Sequence, residues 1–420
     1  MLDPVIEFFS SIFGWIGRGI GMIISWILWP FVAAGRWYMR NGWWIKGPVG
    51  IVLVALIGFY GYFIWQTQVW TNFNPDYVAN YDFHQRRVSA GEEVGPQNPP
   101  GTNGGNTPQT PSSPLVAPSA DGQVPADTQA PEQLTQQAPP SNALSTAAAR
   151  TCGRSAIADV TADLTDFNVN QNAWISSMLL YRAGLFGVPW DNTPFLDNKA
   201  SFQRGINQAV RRTAVELVDS LGRVRGTSQI DANLQRARGN LQFAEDSWYF
   251  GLNPFGPKTP TPSYYRSAIQ DLRTFNDRLE SCNAIFDARA DNLIQYIDRI
   301  SNDIGSTSAI LRERSENYNA GWLDPRADDR FWFAYGQLYG YYGLLSAAHA
   351  DFEDVLRDRR LDPLWNELEE QLRAALRIQP FIISNGNEAG SFFPSHLATM
   401  GFYVLRVRSN LVEISNVLTR

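Results

Sequence analysis

Cysteine and histidine are scarce in this chain, and lysine is scarce over most of it. The 420 residues hold two cysteines, Cys152 and Cys282, and three histidines. His84, His349 and His396 stand alone, with no second histidine or cysteine close enough in sequence to suggest a metal site. HExxH, GxSxG, P-loop, CxxC and dinucleotide glycine motifs do not occur. Nothing in the residues calls for a cofactor, and no catalytic residue is assigned. The net charge of −6 is mild and supplies no basic face for nucleic acid. From 151 to 420 the only lysines are Lys199 and Lys258. Arginine favours bidentate contacts with carboxylate and phosphate, although a GC-rich genome gives the same bias. Residues 88 to 149 contain neither lysine nor arginine.

Against these absences stands one long apolar run, GPVGIVLVALIGFYGYFIW, from Gly47 to Trp65. It matches the hydrocarbon thickness of a bilayer. Arg36, Arg40 and Lys46 precede it, and no basic residue follows until Arg86. The positive-inside rule then sets those three residues on the cytoplasmic side and exports the rest. No small-residue cleavage site follows the run, so it reads as an uncleaved anchor. The segment 1–46 carries apolar residues at helical spacing from Val5 to Phe31, with a small, weakly polar opposite face. The favoured reading is an in-plane or partly embedded helix. The alternative lets residues 16–34 span the membrane and pack on Gly50, Gly58 and Gly61. Both readings export the C-terminal part.

The expected division is a span at 47–67, a juxtamembrane segment at 68–90, a linker at 91–149 and a helical domain at 150–420. The linker is rich in Pro, Gln, Asn, Ser and Thr and poor in apolar side chains, a composition of disorder. As a flexible spacer it would span roughly 45 Å and hold the domain off the bilayer or let it pass through a peptidoglycan mesh.

The domain reads as helix after helix, with no strand alternation. Phe202 to Val224, Ile230 to Trp248 and Pro394 to Leu418 each carry an apolar stripe. Thr261-Pro262 opens a run with three- and four-residue apolar spacing through Cys282, Phe286 and Ile304, which predicts one helix of more than 40 residues. Seven or eight helices in an elongated all-α bundle are expected. In an oxidising compartment Cys152 and Cys282 form a candidate disulfide; two unrelated buried thiols are the alternative. A bond would staple the domain's first helix to the middle of the longest one.

Three loops mix polar and aromatic residues: Gly184–Phe202, Asn319–Phe333 and Phe381–His396. Trp190, Asp191, Asn192, Trp322, Asn385 and Asn387 are the candidate partner-binding residues. The competing reading is that these loops cap the bundle. The stretch FWFAYGQLYGYYGLLSAAH (331–349) either makes a tight helix crossing through Gly336, Gly340 and Gly343 or lines a cavity. Asp328-Asp329 and Glu369-Glu370 read as helix-start or solvated-face charges.

The block from Leu179 to Asp231 (LLYRAGLFGVPWDNTPFLDNKASF onward) resembles a bacterial family of membrane-anchored proteins known only as a domain of unknown function. The segment SYYRSAIQDLRTFNDRLESCNAIFDARADNL fits the same pattern, and the resemblance extends over Val69–Tyr77 and from Cys152 onward. It implies a Gram-negative inner-membrane protein with a helical periplasmic domain, and it supplies no activity or site residue. The first forty residues and the linker lie outside it. The expected function is a non-enzymatic envelope scaffold or adaptor that binds a protein or peptidoglycan partner. The alternatives are an enzyme acting on peptidoglycan or lipid through cleft carboxylates, and a lipid or small-ligand binding module.

Overall fold

The structure, a computed structural model, describes residues 21–22, 25–26, 28–83, 90–91, 93–94, 151–184, 187, 189–190, 193, 196–223, 229–252, 255–318, 324–387 and 394–420. Residues 28–40 are helical. A two-residue break at Asn41-Gly42 separates them from α1 (Trp43–Gln68). Tyr38 reaches across the break, where its hydroxyl donates to the carbonyl of Lys46 at 3.0 Å. Among the described residues α1 is the one helix long and apolar enough to cross a membrane. Arg36 and Arg40 are exposed and Lys46 is half-buried in its first turn. Of the segment 16–34, residues 16–20, 23–24 and 27 lie outside the described residues.

The domain is all-α, as the apolar stripes predict. Its helices are α2 (Ala156–Asp166), α3 (Leu179–Ala183), α4 (Asn198–Glu216), α5 (Ala232–Leu241), α6 (Thr261–Glu280), α7 (Ala290–Asn317), α8 (Ala327–Asp351), α9 (Glu353–Asp358), α10 (Asp362–Leu376) and α11 (His396–Leu418). These ten, counted among the described residues, slightly exceed the expected seven or eight because α3 and α9 are single short turns. One π turn extends α2 over Phe167–Gln171, and another extends α4 over Leu217–Leu221. Two small antiparallel pairs were not foreseen: β1 (Glu93–Val94) with β2 (Thr151–Cys152), and the hairpin β3 (Phe250–Leu252) with β4 (Phe255–Pro257).

Helix α8 is buried nearly all round, which explains a sequence that is apolar on every face. α4 crosses it at backbone contact. A Cβ on Gly205 would meet the Phe333 carbonyl at 2.1 Å, and one on Gly336 would meet the Phe202 carbonyl at 2.1 Å. The Tyr/Gly stretch is therefore a tight crossing. α2, α7, α10 and α11 pack around the rest of α8.

The expected 40-residue helix is two helices. The chain leaves α6 at Ser281, and Cys282 takes a left-handed conformation (φ 60°). The N–H groups of Cys282 and Asn283 close the helix end on the carbonyls of Leu279 and Arg278. Phe286 is still buried, in contact with Phe352. The three-and-four spacing thus marked burial correctly but continued through a connection that is not helical. Cys152 and Cys282 are bonded, with Cα atoms 5.3 Å apart. The staple joins the start of the domain to the end of α6, not to the middle of a longer helix. Beside it, Asp351 at the end of α8 caps the start of α2. Its carboxylate accepts from the Ser155 hydroxyl at 2.7 Å and from the N–H groups of Ala156 and Ile157 at 2.7 and 3.0 Å.

The described part of the expected juxtamembrane segment, residues 68–83, packs on the domain. From Trp70 to Phe83 the chain lies against the helices. Trp70 stacks on Phe202 at 4.9 Å and meets Trp332 at 5.1 Å. Phe73 packs on Tyr339, and Tyr77 stacks on Tyr339 at 4.4 Å. The Tyr77 hydroxyl donates to the Tyr339 carbonyl and fills the notch left by Gly343. Tyr81 donates to Asp163 at 2.9 Å. The segment 70–83 therefore climbs along α8 from Trp332 towards Phe352, about 30 Å by helical rise. At the far end Gly91 donates to the Gly153 carbonyl, and Glu93–Val94 pairs with Thr151–Cys152. The ends of the Pro-rich stretch are thus hydrogen-bonded neighbours. That stretch is an insertion in the domain and does not set the distance between α1 and the helices.

Candidate functional site: a docked helix end and a polar groove

The last turns of α1 are built into the bundle. Phe63 is fully enclosed by Ile175, Leu180, Trp190 and Ala200. Trp190 lies 5.0 Å from Phe63, and its indole N–H donates to the Leu180 carbonyl at 2.6 Å. Lys199 donates to the carbonyls of Gln66 and Val69 at 3.0 and 2.7 Å. A cation there answers the orphan carbonyls and negative dipole end of a helix C-terminus. Burial pulls the Lys199 ammonium down to about 8. In a domain with only two lysines, this one was the visible signal, and composition alone did not say what it met.

The helix starts next to this joint carry a buried acid cluster. Asp197, just before α4, is fully buried. Burial, then the charges of Asp329 and Asp328, push its carboxyl up to about 10. Asp328, in the first turn of α8, is raised to about 7 by burial and by Asp329. Asp329 accepts from the Ser201 hydroxyl at 2.7 Å. Burial and the neighbouring charges of Asp329 and Asp328 thus favour the protonated form of Asp197. The expected helix-start role of Asp328-Asp329 is met in position, but Asp328 is not solvated.

The three aromatic loops flank the same end of the bundle. The first leads through Asp197 into Ser201, which bonds Asp329. The second and third are joined by Asn385, which is fully buried. Its side-chain N–H groups donate to the carbonyls of Arg314 and Tyr318 and to Asp324, at 3.1, 3.0 and 3.0 Å. Asp324 in turn pairs with Arg314, whose guanidinium lies 3.9 Å above the Tyr318 ring. His396 lies 6.4 Å from Phe331. Trp190 and Asn385 are therefore interior fasteners and present no exposed edge. Asn387 is exposed. Asp191, Asn192 and Trp322 lie outside the described residues.

A cavity of about 600 Å³ opens between the climbing segment and helices α8 and α10. Its wall includes Tyr81, Tyr342, Ser346, His349, Glu369 and Arg373. His349 Nδ1 lies 3.2 Å from Glu369, and Nε2 lies 3.5 Å from Asp362. Burial opposes its charge, but the two carboxylates outweigh burial and raise its pKa. Arg373 donates to the Tyr342 hydroxyl from Nε and Nη2 at 3.2 and 3.0 Å. The Ser346 hydroxyl is buried without a hydrogen-bond partner. The serine lacks the base contact that an activated nucleophile needs, because both nitrogens of His349 face carboxylates. The arrangement suits binding of a polar group. In sequence His349 stands alone and Glu369 reads as a solvated-face charge, because the histidine is on α8 and its two carboxylate partners are on α10. No group of three or more His, Cys, Asp or Glu among the described residues forms a metal site.

Comparison with curated proteins and with solved structures finds no match. A family model does match, over residues 136–320 and 312–420, which together cover the whole helical domain. The chain belongs to DUF2333, a family of uncharacterized proteins conserved in bacteria.

Proposed function

We propose that the chain is a scaffold or adaptor of the bacterial envelope, fixed in the inner membrane by α1 with its helical domain on the periplasmic side. The domain stands directly on its anchor, and the Pro-rich insertion serves a protein or cell-wall partner. The observation that carries this reading is the fused joint between α1 and the domain. Phe63, Lys199, Trp70 and Tyr77 leave no slack between them. Such a mount gives the domain one height and orientation, and it holds the insertion at the end farthest from α1. The bond between Cys152 and Cys282 supports an oxidising compartment. The three basic residues before α1 support a cytoplasmic start.

The test is cross-linking of the full chain in whole cells, followed by identification of the captured species. The same experiment is run on a variant in which residues 97–147 are replaced by a short Gly/Ser turn. One recurrent envelope partner that disappears with the insertion is the expected result. Equal capture by both forms, or no enriched species, counts against the role of the insertion.

The groove at His349 favours a second reading, a module that binds a polar small molecule or peptide. Native mass spectrometry of the purified full chain tests it. A bound species lost on Ser346→Leu supports the reading, and a bare protein of calculated mass argues against it.

A further inference from the structure

Beside the end of α1 the domain exposes a rim of large apolar side chains that no core contact explains. Phe255 at the β3–β4 turn is 79% exposed, and Tyr249 just before β3 is 62% exposed. Phe250 packs edge-on against Phe255, at 4.8 Å between ring centres, and Leu179 at the start of α3 is also open to solvent. A shallow cavity of about 390 Å³ separates this rim from α1, and Phe59, Tyr62, Leu179, Trp248 and Tyr249 all line it.

The position of α1 sets the height of the part of the rim that lines this cavity, Leu179 and Tyr249. If the run Gly47–Trp65 fills a hydrocarbon core of about 30 Å, Trp65 marks the outer boundary. At 1.5 Å per residue, Tyr62 and Phe59 then lie about 4 and 9 Å inside it. Phe63 lies about 3 Å inside by the same rise, yet it is wholly enclosed by domain side chains from Ile175 to Trp190. Domain residues that touch α1 at these levels share its depth. A soluble domain on a flexible spacer would not reach it, and an ordinary water-facing hairpin would not carry Tyr249, Phe250 and Phe255 together. Aromatic rings of this kind are enriched where headgroups meet acyl chains. Two cationic side chains flank the rim. Arg182 is 54% exposed and pairs with Asp246 at 3.7 Å, and Lys258 folds over Gly251 of the hairpin.

We infer that this rim is a second membrane contact. Leu179, Tyr249, Phe250 and Phe255 sink into the headgroup–acyl boundary of the leaflet that α1 exits, and lipid acyl chains occupy the cavity against Phe59 and Tyr62. The domain then meets the bilayer as a collar around its own span. Tilting it away would expose both the rim and the α1 joint.

This inference rests on α1 spanning the bilayer, so the test includes a reporter for that reading. Phe255→Cys, Tyr249→Cys, Ile57→Cys and Phe402→Cys are made one at a time in the full chain. Each is labelled with an environment-sensitive fluorophore and reconstituted in phosphatidylethanolamine/phosphatidylglycerol bilayers. Quenching by doxyl-labelled lipid is compared with quenching by aqueous iodide. All four positions are exposed outside the core, at 79%, 62%, 72% and 59%, so labelling leaves packing intact. The expected result is strong doxyl quenching and at least threefold protection from iodide at 255, 249 and 57, with the reverse at 402. If 57 is quenched by lipid while 255 and 249 behave like 402, the collar is wrong and the span stands. If 57 is itself open to iodide, the span fails and the collar with it. If 255 and 249 are shielded from iodide but not quenched by lipid, protein covers the rim and the inference is overturned.

Discussion

Replacing Gly343 by alanine tests whether the segment after α1 is seated in the domain. In an ordinary helix interior this change stabilises by about 0.5–1 kcal/mol, because glycine loses more backbone freedom. Here the new Cβ would lie 2.1 Å from the Tyr77 hydroxyl oxygen and 2.9 Å from the ring carbon bearing it. Tyr77 has no cheap escape, since it stacks on Tyr339 and donates to the Tyr339 carbonyl at 2.9 Å. Displacing it forfeits about 1 kcal/mol of hydrogen bond and about 1 kcal/mol of ring contact, and overpacking adds about 1–3 kcal/mol. After the propensity gain, Gly343→Ala should destabilise by about 2–4 kcal/mol. Tyr77→Phe alone should cost about 1 kcal/mol. Because it removes the closest atom, the double variant should be more stable than the sum of the singles predicts, by about 1 kcal/mol or more. Denaturant unfolding of the full chain in micelles, followed by near-UV circular dichroism, reads tertiary packing while α1 stays helical. A neutral or stabilising Gly343→Ala, or strict additivity, would refute the seating of Tyr77.

Three further outcomes follow from the same contacts. The bond between Cys152 and Cys282 spans 130 residues. The chain-entropy model gives about 4–5 kcal/mol for a loop that long, so Cys152→Ser with Cys282→Ser should lower the melting temperature markedly, and reductant should then have no further effect. Asp197 has a folded pKa of about 10, well above an unfolded aspartate. Its stability contribution is therefore complete below about pH 4 and drains away as pH rises towards 10. Asp197→Asn should match the parent near pH 4 and exceed it increasingly as the pH rises above that in a pH series of melts, and a variant less stable at every pH contradicts the protonated assignment. Asn385→Ala empties a fully buried site that satisfies two carbonyls and a carboxylate. It should cost about 2–3 kcal/mol in chemical denaturation, with no change in Trp190 fluorescence at the other joint.

The helices were legible because their signals are local. The apolar stripe from Phe202 onward and the Thr261-Pro262 start both act within a turn or two. What the sequence left hidden depends on distant partners. Phe286 and Cys282 kept helical spacing, but a left-handed residue and a disulfide 130 positions away decided the backbone. The segment from Trp70 to Tyr81 falls in the juxtamembrane stretch expected at 68–90. Its partners Phe202, Tyr339 and Asp163 lie 82 to 262 residues away, and a single sequence does not encode such pairings visibly. The groove failed to appear for the same reason. His349 becomes a charged site only when α10 brings Glu369 and Asp362 to it. Trp190 was noticed correctly as unusual, but an indole suited to a partner surface is equally suited to clasping Phe63.

α1, residues 69–83 and 90–91, strand β1 and the helices form one body, so that the Pro-rich stretch is an insertion and no tether. A site for a specific protease placed near residue 120 in the full chain, cut in native membranes, tests this directly. Cys152 and Cys282 both lie on the C-terminal side of the cut, so no covalent bond joins the two fragments. The account predicts that the C-terminal fragment sediments with the membranes, retained by Trp70, Phe73 and Tyr77 in its core and by Phe63 against Trp190. Release of that fragment into the supernatant would contradict it.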